Sequence, residues 1–141
     1  MQKLKKEIES ILYERFGGDS ILALASAIDN IPHVRSVDAF YEDGCFYILT
    51  HTLSGKMRQI AQNPTVAIAG EWFTAQGVGV NLGFFGLSEN AHIANKMRQV
   101  FSAWIDNGHS DLTDSNTCIL CIRLTSGVLF ADGVRYEIDF T

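Results

Sequence analysis

Proline and cysteine are both scarce in this chain, which has two prolines and three cysteines among its 141 residues. An odd and small number of cysteines provides no disulfide framework and is typical of proteins from a reducing compartment. The chain also lacks any run near the roughly 20 apolar residues that a membrane helix requires. Its N-terminal segment, MQKLKKEIES, lacks the apolar core of a signal peptide. We therefore expect a cytoplasmic protein that does not associate with membranes.

An excess of positive charge is absent as well, because 11 lysines and arginines face 16 aspartates and glutamates, for a net charge of −5. A chain with this charge is a poor partner for nucleic acid, although a few local cations can still hold a small anion. Hydrophobic residues make up 47% of the sequence and charged residues 19%, which is the composition of a packed globular protein. We predict one domain over residues 1–141, since the chain is too short for a second core.

Nucleotide-binding signatures are missing from the glycine-rich stretch between Gly77 and Gly86. Position 82, where the dinucleotide fingerprint requires its last glycine, is a leucine, and no helix pattern begins there. Gly55-Lys56 lacks the rest of a phosphate loop, because Thr50 and Met57 occupy the flanking positions of that motif. The glycines instead indicate bulges or strong coiling in the wall of a barrel.

Metal-binding and nucleophilic motifs are missing too. The four histidines are scattered without an HExxH pair, and no serine lies in a nucleophile elbow. Cys118 and Cys121 are spaced CxxC, but they fall in an apolar segment predicted to be a strand, where residues three apart point to opposite faces. We interpret both as buried structural cysteines and predict neither a metal site nor a catalytic side chain.

The hydrophobic periodicity predicts a mostly β protein with a few helices. Helical spacing occurs over residues 4–16, 54–63 and 88–107, with Ser54 and Ser88 as N-caps. Strand patterns occupy residues 21–27, 34–41, 45–50, 66–73, 77–87, 117–124 and 128–140. The expected breaks between strands include Ile31-Pro32, Asp43-Gly44 and Thr125-Ser126-Gly127. Because regular βαβ alternation is absent, we predict an α+β fold in which antiparallel strands close into a small barrel with helices at its ends.

The most informative segment is residues 32–64. It places Arg35 on a strand and Lys56 in the first turn of the helix that Ser54 caps. A cation there opposes the helix dipole by on the order of a few tenths of a kcal/mol, and a bound anion would remove that conflict. The N–H groups of this turn, both cations and the hydroxyls of Ser54 and Thr50 form a candidate phosphate site. The alternative is that Arg35 pairs with a surface acid and Lys56 is merely solvated.

The order of these parts resembles the pyridoxamine 5′-phosphate oxidase-like family of FMN-binding split β-barrel proteins. Members carry an arginine-bearing strand, a hairpin, a strand ending near threonine, and then Ser-x-Lys opening a helix that ends in Asn-Pro. The corresponding parts of this sequence are Arg35, Asp43-Gly44, Thr50, Ser54-Gly55-Lys56 and Asn63-Pro64. The resemblance covers residues 32–88 and, beyond them, only the order of the elements.

The resemblance implies a mostly antiparallel split β-barrel of the FMN-binding type with flanking helices. FMN is the implied cofactor, and an oxidoreductase that transfers a hydride or electrons to or from a small-molecule substrate is the implied function. The cofactor-binding residues that it implies are Arg35 and Lys56 for the phosphate, backbone groups around Ser36 and Val37, and the hydroxyls of Thr50 and Ser54.

The resemblance also implies a homodimer with two cofactor sites at the subunit interface. Asn81 is the best match to an amide that reaches the flavin from the partner subunit, and Trp72 either stacks near the ring or belongs to the core or interface. The apolar faces of the strands and of the helix around residues 93–105 are candidates for that interface. The C-terminal stretch GVRYEI lacks the Arg-x-His element with which the true oxidase holds its substrate, so vitamin B6 oxidation is not expected.

Two alternatives keep this fold and change the function. One is a different ligand, either the deazaflavin F420 or a haem whose iron a histidine such as His51 would ligate. The other is a flavin carrier or sensor without turnover, which the sequence does not distinguish from an enzyme.

Overall fold

A computed structural model describes residues 4–141 and contains, in that range, three α-helices and seven β-strands. The first three residues of the predicted domain and of the N-terminal segment lie outside the described residues. The helices are α1 (Lys6–Phe16), α2 (Gly55–Gln62) and α3 (Ala91–Val100), the last preceded by a short 3-10 turn (Ser88–Asn90). The strands are β1 (Ser20–Ile28), β2 (Ile31–Glu42), β3 (Cys45–His51), β4 (Thr65–Gly70), β5 (Phe73–Phe84), β6 (Thr117–Ala131) and β7 (Val134–Asp139).

The strands form one antiparallel sheet that closes on itself. Their order is β3-β2-β1-β4-β5-β6-β7, and an additional pairing of β3 with β6 closes the first six into a barrel. Strand β7 pairs with the C-terminal half of β6, beyond the stretch that pairs with β3. The predicted α+β architecture, an antiparallel barrel with flanking helices, is therefore confirmed. No helix within residues 4–141 is long and apolar enough to cross a membrane.

Strand β6 differs from its prediction, because it runs unbroken through Thr125-Ser126-Gly127. Ser126 and Gly127 are paired with both β5 and β7. A Cβ atom on Gly127 would lie 3.1 Å from the Thr74 carbonyl oxygen, so the glycine permits close strand packing rather than a turn. The turn lies instead at Asp132-Gly133, where both φ angles are positive (50° and 76°).

Two other turns are also displaced. Asp29-Asn30, with φ of 51° and 63°, connects β1 to β2, and Ile31-Pro32 already belongs to β2. The second turn contains Trp72 (φ 51°), so that Phe73 begins β5 instead of ending β4. Asp43-Gly44 turns as predicted, with φ of 48° and 80°. Asparagine and aspartate tolerate this left-handed conformation, which explains two of the unpredicted turns.

The helix predictions are only partly correct. The Ser54 hydroxyl accepts a hydrogen bond from the Met57 N–H and caps α2 as predicted. Ser88 caps nothing, since it begins a 3-10 turn and its hydroxyl bonds to the neighbouring Glu89 carboxylate. Helix α3 ends at Val100, and the chain continues in turns through Asn107.

Two hydrophobic clusters build the core. One fills the barrel interior, and the other lies between the outer wall of the barrel and α3, with Phe40, Met97, Phe101 and Ile119 fully buried in it. The apolar face of α3 is thus packed against its own barrel and is not free to form an interface. Cys118 and Cys121 are buried as predicted and lie on opposite faces of β6, Cys118 inside the barrel.

Helix α2 rests on β5 at a position that excludes a side chain. A Cβ atom on Gly79 would lie 2.7 Å from the Ile60 Cγ2 atom, and both residues are buried. The Gly79 N–H also donates to the Pro64 carbonyl just after the helix. This contact sets how closely α2 packs against β5.

We expect Gly79→Ala to lower the free energy of unfolding by about 1–3 kcal/mol, because Ile60 must move to admit the methyl group. Chemical denaturation measures the difference. Gly18→Ala is the control, since a Cβ atom on Gly18 would have no neighbouring atom within 4 Å. Equal losses in the two variants would contradict the packing argument.

Candidate functional site

The barrel is open between β2 and β3. These strands pair only from Phe40 to Glu42 on β2, whereas residues 31–39 of β2 pair with β1 alone. The remainder of β3 turns away and pairs with β6. Alternate backbone N–H groups of the 31–39 stretch therefore face the opening, which α2 borders.

Arg35 lies on this open strand and is held by three hydrogen bonds. One guanidinium nitrogen, Nη1, donates to the Leu24 carbonyl (3.2 Å) and to the Ser26 hydroxyl (2.9 Å). The other, Nη2, donates to Gln59 Oε1 on α2 (2.7 Å). A guanidinium has five N–H donors, so two of them remain uncommitted. Burial lowers the pKa of Arg35 from its ordinary value.

Lys56 projects from the first turn of α2 toward the same place. Its ammonium donates to the Thr50 hydroxyl oxygen at 2.6 Å, and it lies one helical turn before Gln59, on the same face of the helix. Burial lowers the pKa of Lys56, and the nearby positive charge of Arg35 lowers it further. The two cations are thus close enough to repel each other.

Neither cation is neutralised by an acid. In the described part of the chain, the ion pairs within 4.0 Å involve other basic residues. Two neighbouring, partly buried cations without a counterion are unfavourable unless an anion joins them. The predicted alternative, in which Arg35 pairs with a surface acid, does not occur among residues 4–141.

Of the two hydroxyl groups predicted for the site, that of Thr50 contacts a cation and that of Ser54 caps α2. The Thr50 oxygen accepts from Lys56, and the Ser54 oxygen accepts from the Met57 N–H at 3.4 Å. Each hydroxyl keeps its own O–H as a donor. Gly55, the first residue of α2, has open space around it, which leaves the helix N-terminus accessible.

Ser36 and Val37 present only backbone groups to the opening between β2 and β3. The Val37 side chain is buried in the barrel core, and the Ser36 side chain points to the opposite face of β2. Both belong to the stretch that pairs only with β1. Their assignment to a phosphate therefore stays a prediction about backbone groups.

Asn81 and Trp72 lie apart from the cations within this chain. The Asn81 side chain accepts from the Gly83 N–H (2.8 Å) and lines a groove of about 400 Å³ that runs along α2 beside Arg58. Trp72 lies in the β4–β5 turn, at the far end of the six-residue strand that follows α2. A role for Asn81 from a partner subunit remains a prediction.

Two side chains that position Arg35 were missed in the sequence. Ser26 is 4% exposed and is the one hydroxyl-bearing residue in the interior of β1, since the other serine begins the strand. Gln59 reaches the same guanidinium from α2. A polar residue in the middle of an apolar strand is a signal of a buried partner. Nothing in the linear pattern indicates which residue that partner is.

His51 is engaged through both of its ring nitrogens. Its Nε2 faces the Asp114 carboxylate at 3.3 Å, and its Nδ1 accepts from the Leu53 N–H at 3.2 Å. Neither nitrogen is free to ligate a metal.

No protein-family model matches the chain, and no curated protein matches it in sequence. Solved structures do match it. A Clostridium acetobutylicum protein related to general stress protein 26, of the pyridoxinephosphate oxidase family, is 11% identical with a TM-score of 0.63, and the match covers 96% of each chain. A FAD-binding protein from Mesorhizobium loti is 18% identical with a TM-score of 0.66, covering 88% of this chain and 92% of that one.

A heme binding protein from Mycobacterium smegmatis is 13% identical with a TM-score of 0.72, covering 99% of this chain and 60% of the other. At such low identities, it is the TM-scores that establish a shared fold. The chain therefore has the split β-barrel fold of the pyridoxamine 5′-phosphate oxidase-like proteins, as the resemblance in the sequence predicted.

We expect Lys56→Met to raise the free energy of unfolding of the ligand-free protein by up to about 1 kcal/mol, because it removes a charge that burial and Arg35 disfavour and that solvent partly screens. Since the folded-state pKa of Lys56 is lowered, the cost of its charge is present at neutral pH and fades as pH rises through that pKa. Chemical denaturation at neutral and alkaline pH measures both effects.

Lys96→Met is the matched control, because the Lys96 ammonium faces the Glu42 carboxylate at 3.7 Å. We expect this variant to be neutral or slightly destabilised. A loss of stability in Lys56→Met equal to that of the control would contradict an uncompensated charge at position 56.

Proposed function

We propose that this chain binds FMN and works as a flavin-dependent oxidoreductase that passes a hydride or electrons to or from a small-molecule substrate. The observation that carries the proposal is the pair of cations at the barrel opening, Arg35 and Lys56, which have no carboxylate partner within residues 4–141. A phosphate monoester would compensate both charges. The fold shared with a FAD-binding protein supports a flavin in this type of barrel.

The residues around the opening have distinct tasks in this proposal. Arg35 donates its two uncommitted N–H groups to the phosphate, while Ser26 and Gln59 fix the plane of the guanidinium. Lys56, oriented by Thr50, supplies the second charge. FMN supplies the hydride and electron chemistry when bound, so the chain needs no acid, base or nucleophile of its own for that step.

A haem is the second candidate, because one structural match is a heme binding protein. The engagement of both His51 nitrogens argues against that histidine as an axial ligand. F420 is a third candidate, but a chain with a net charge of −5 is electrostatically unfavourable for binding its polyanionic tail. The two cations fit a single phosphate better than either alternative.

Reconstitution tests the cofactor directly. We expect purified protein given excess FMN to retain it after desalting, with a flavin spectrum and FMN identified by mass spectrometry. A haem Soret band or bound F420 would replace FMN in the proposal. Turnover of NADH or NADPH with an added acceptor separates an enzyme from a flavin carrier or sensor, which would show none.

We expect Arg35→Ala and Lys56→Ala each to weaken FMN binding about ten- to a hundredfold, since each removes one charged phosphate contact worth on the order of 1.5–3 kcal/mol. Fluorescence titration measures the Kd. Lys96→Ala, which removes a cation elsewhere, is the control. Unchanged affinity in the double variant would refute the phosphate site.

We further propose that the protein is a homodimer with its cofactor sites near the interface. We also propose that it resides in the cytoplasm, in keeping with three free thiols.

The candidate interface is the outer sheet face, which we define as the outward side chains of β1, β2 and β4. Ile21 and Val34 on this face are 74% and 70% exposed. The residues between them are small, as the register of Ala23 and Ala25 with Ala69 and Ala67 indicates.

We expect Val34→Asp to convert the dimer into a monomer, because an unpaired carboxylate within an apolar interface raises the dimer Kd more than about tenfold. Light scattering after size exclusion measures the mass. Val134→Asp makes the same change at an exposed valine in the β6–β7 hairpin and should leave the mass unchanged. A wild-type monomer, or a Val34→Asp dimer as tight as the wild type, would contradict this interface.

A further inference from the structure

A second polar cluster lies on the outer wall of the barrel, where β3 pairs with β6. The register places Tyr47 directly opposite Cys121, and Cys45 directly opposite Arg123. Alternate residues of a strand share a face, so all four side chains lie on one side. That side is the outer one, because the neighbouring residues Ile48 and Ile122 point into the barrel core.

Within this cluster, the register brings the Cys45 thiol next to the Cys121 thiol, diagonally across the strand pair, and next to the Tyr47 side chain on the same strand. Interaction with the Cys121 thiol is the largest of the causes that lower the pKa of Cys45 to about 7. Burial opposes this shift, whereas Tyr47 and the charge of Arg123 support it. The surroundings of Cys45 therefore favour its thiolate, which is the nucleophilic form of cysteine.

The charges around Cys45 come from three elements. Arg123 on β6 favours the thiolate, and Asp43 in the preceding turn disfavours it. Glu42 on β2 lies directly across from Cys45, but its carboxylate is engaged by His92 (2.9 Å) and Lys96 (3.7 Å) of α3. The negative charge of Glu42 is therefore largely offset by its own partners.

The neighbours of Cys45 remain protonated donors. Interaction with Cys45 and burial raise the pKa of Cys121, and burial raises that of Tyr47. Cys121 is 8% exposed, whereas Cys45 is only partly buried and begins β3 immediately after an exposed turn. The accessible sulfur is thus the one whose thiolate the cluster favours.

We propose that Cys45 is a nucleophilic modification site for small soluble electrophiles and peroxides, with Cys121 as its resolving thiol. The site lies on the outer wall and is independent of the proposed flavin function. Its basis is the placement of two thiols and a tyrosine hydroxyl on one face of a single pair of strands.

The oxidation proceeds in two balanced steps. The Cys45 thiolate attacks the terminal oxygen of a hydroperoxide, forming an S–O bond and breaking the O–O bond, so that sulfur is oxidised to a sulfenic acid. The alkoxide or hydroxide that leaves takes a proton from solvent and becomes an alcohol or water. Cys121 sulfur then attacks the Cys45 sulfur. An S–S bond forms, hydroxide leaves and takes the thiol proton, and water is released.

Competitive alkylation of the folded protein tests the nucleophile. Iodoacetamide at neutral pH, followed by peptide mass spectrometry, should label Cys45 well before Cys118, which is buried inside the barrel and whose pKa burial raises. Cys121→Ala should slow labelling of Cys45 about five- to tenfold by removing the main donor. Cys121→Ser keeps a hydroxyl donor and should restore most of the rate.

Hydrogen peroxide tests the resolving thiol. The wild type should form a Cys45–Cys121 disulfide, whereas Cys121→Ser, which preserves the shape of the site, should accumulate a sulfenic acid on Cys45 that dimedone traps. Circular dichroism verifies that each variant is folded. Labelling of Cys45 no faster than of Cys118 would overturn the nucleophile, and a dimedone adduct without the disulfide in the wild type would overturn the role of Cys121.

Discussion

The pairing of β3 is the constraint on which the rest of the molecule depends. This seven-residue strand uses its first three residues to pair with β2 and its whole length to pair with β6. The barrel closes through β6, and β2 is left with a long edge that only β1 occupies. The same short strand therefore closes the barrel beside β6 and leaves it open beside β2. The opening is where Arg35, Lys56 and the N-terminus of α2 meet.

Much of the fold was predictable because strong local signals coincide with it. Ser54 and Asn63-Pro64 bound α2, Asp43-Gly44 makes the hairpin, and apolar alternation locates most strands. The errors arose where a local signal competed with strand pairing. Gly127 resembles a turn residue in sequence, but neighbouring strands approach so closely there that a glycine is favoured inside β6. Asp29-Asn30 turns without glycine or proline, which makes such a turn hard to detect.

The charged residues of the candidate site were predicted from the sequence, but the residues that position them were not. Lys56 was identified because a cation in the first turn of a capped helix is unusual, and Arg35 because the order of the parts around it resembles the oxidase-like family. Ser26 and Gln59 were missed because their role depends on β1 and α2 lying side by side, which the linear pattern does not reveal. The same reason hid the neighbourhood of Cys45 and Cys121, whose side chains lie on one face only through the register of β3 with β6.

The long β6 also affects how the chain reaches its folded state. Cys45 near the start of the barrel must find Arg123 far along the sequence, and contacts of such separation form slowly because a large loop must close first. Until β6 is available, β3 presents an unpaired edge rich in apolar residues, and such edges promote association between chains. We therefore expect the completion of this late strand to limit the folding rate and to set the time during which nascent molecules are prone to aggregate.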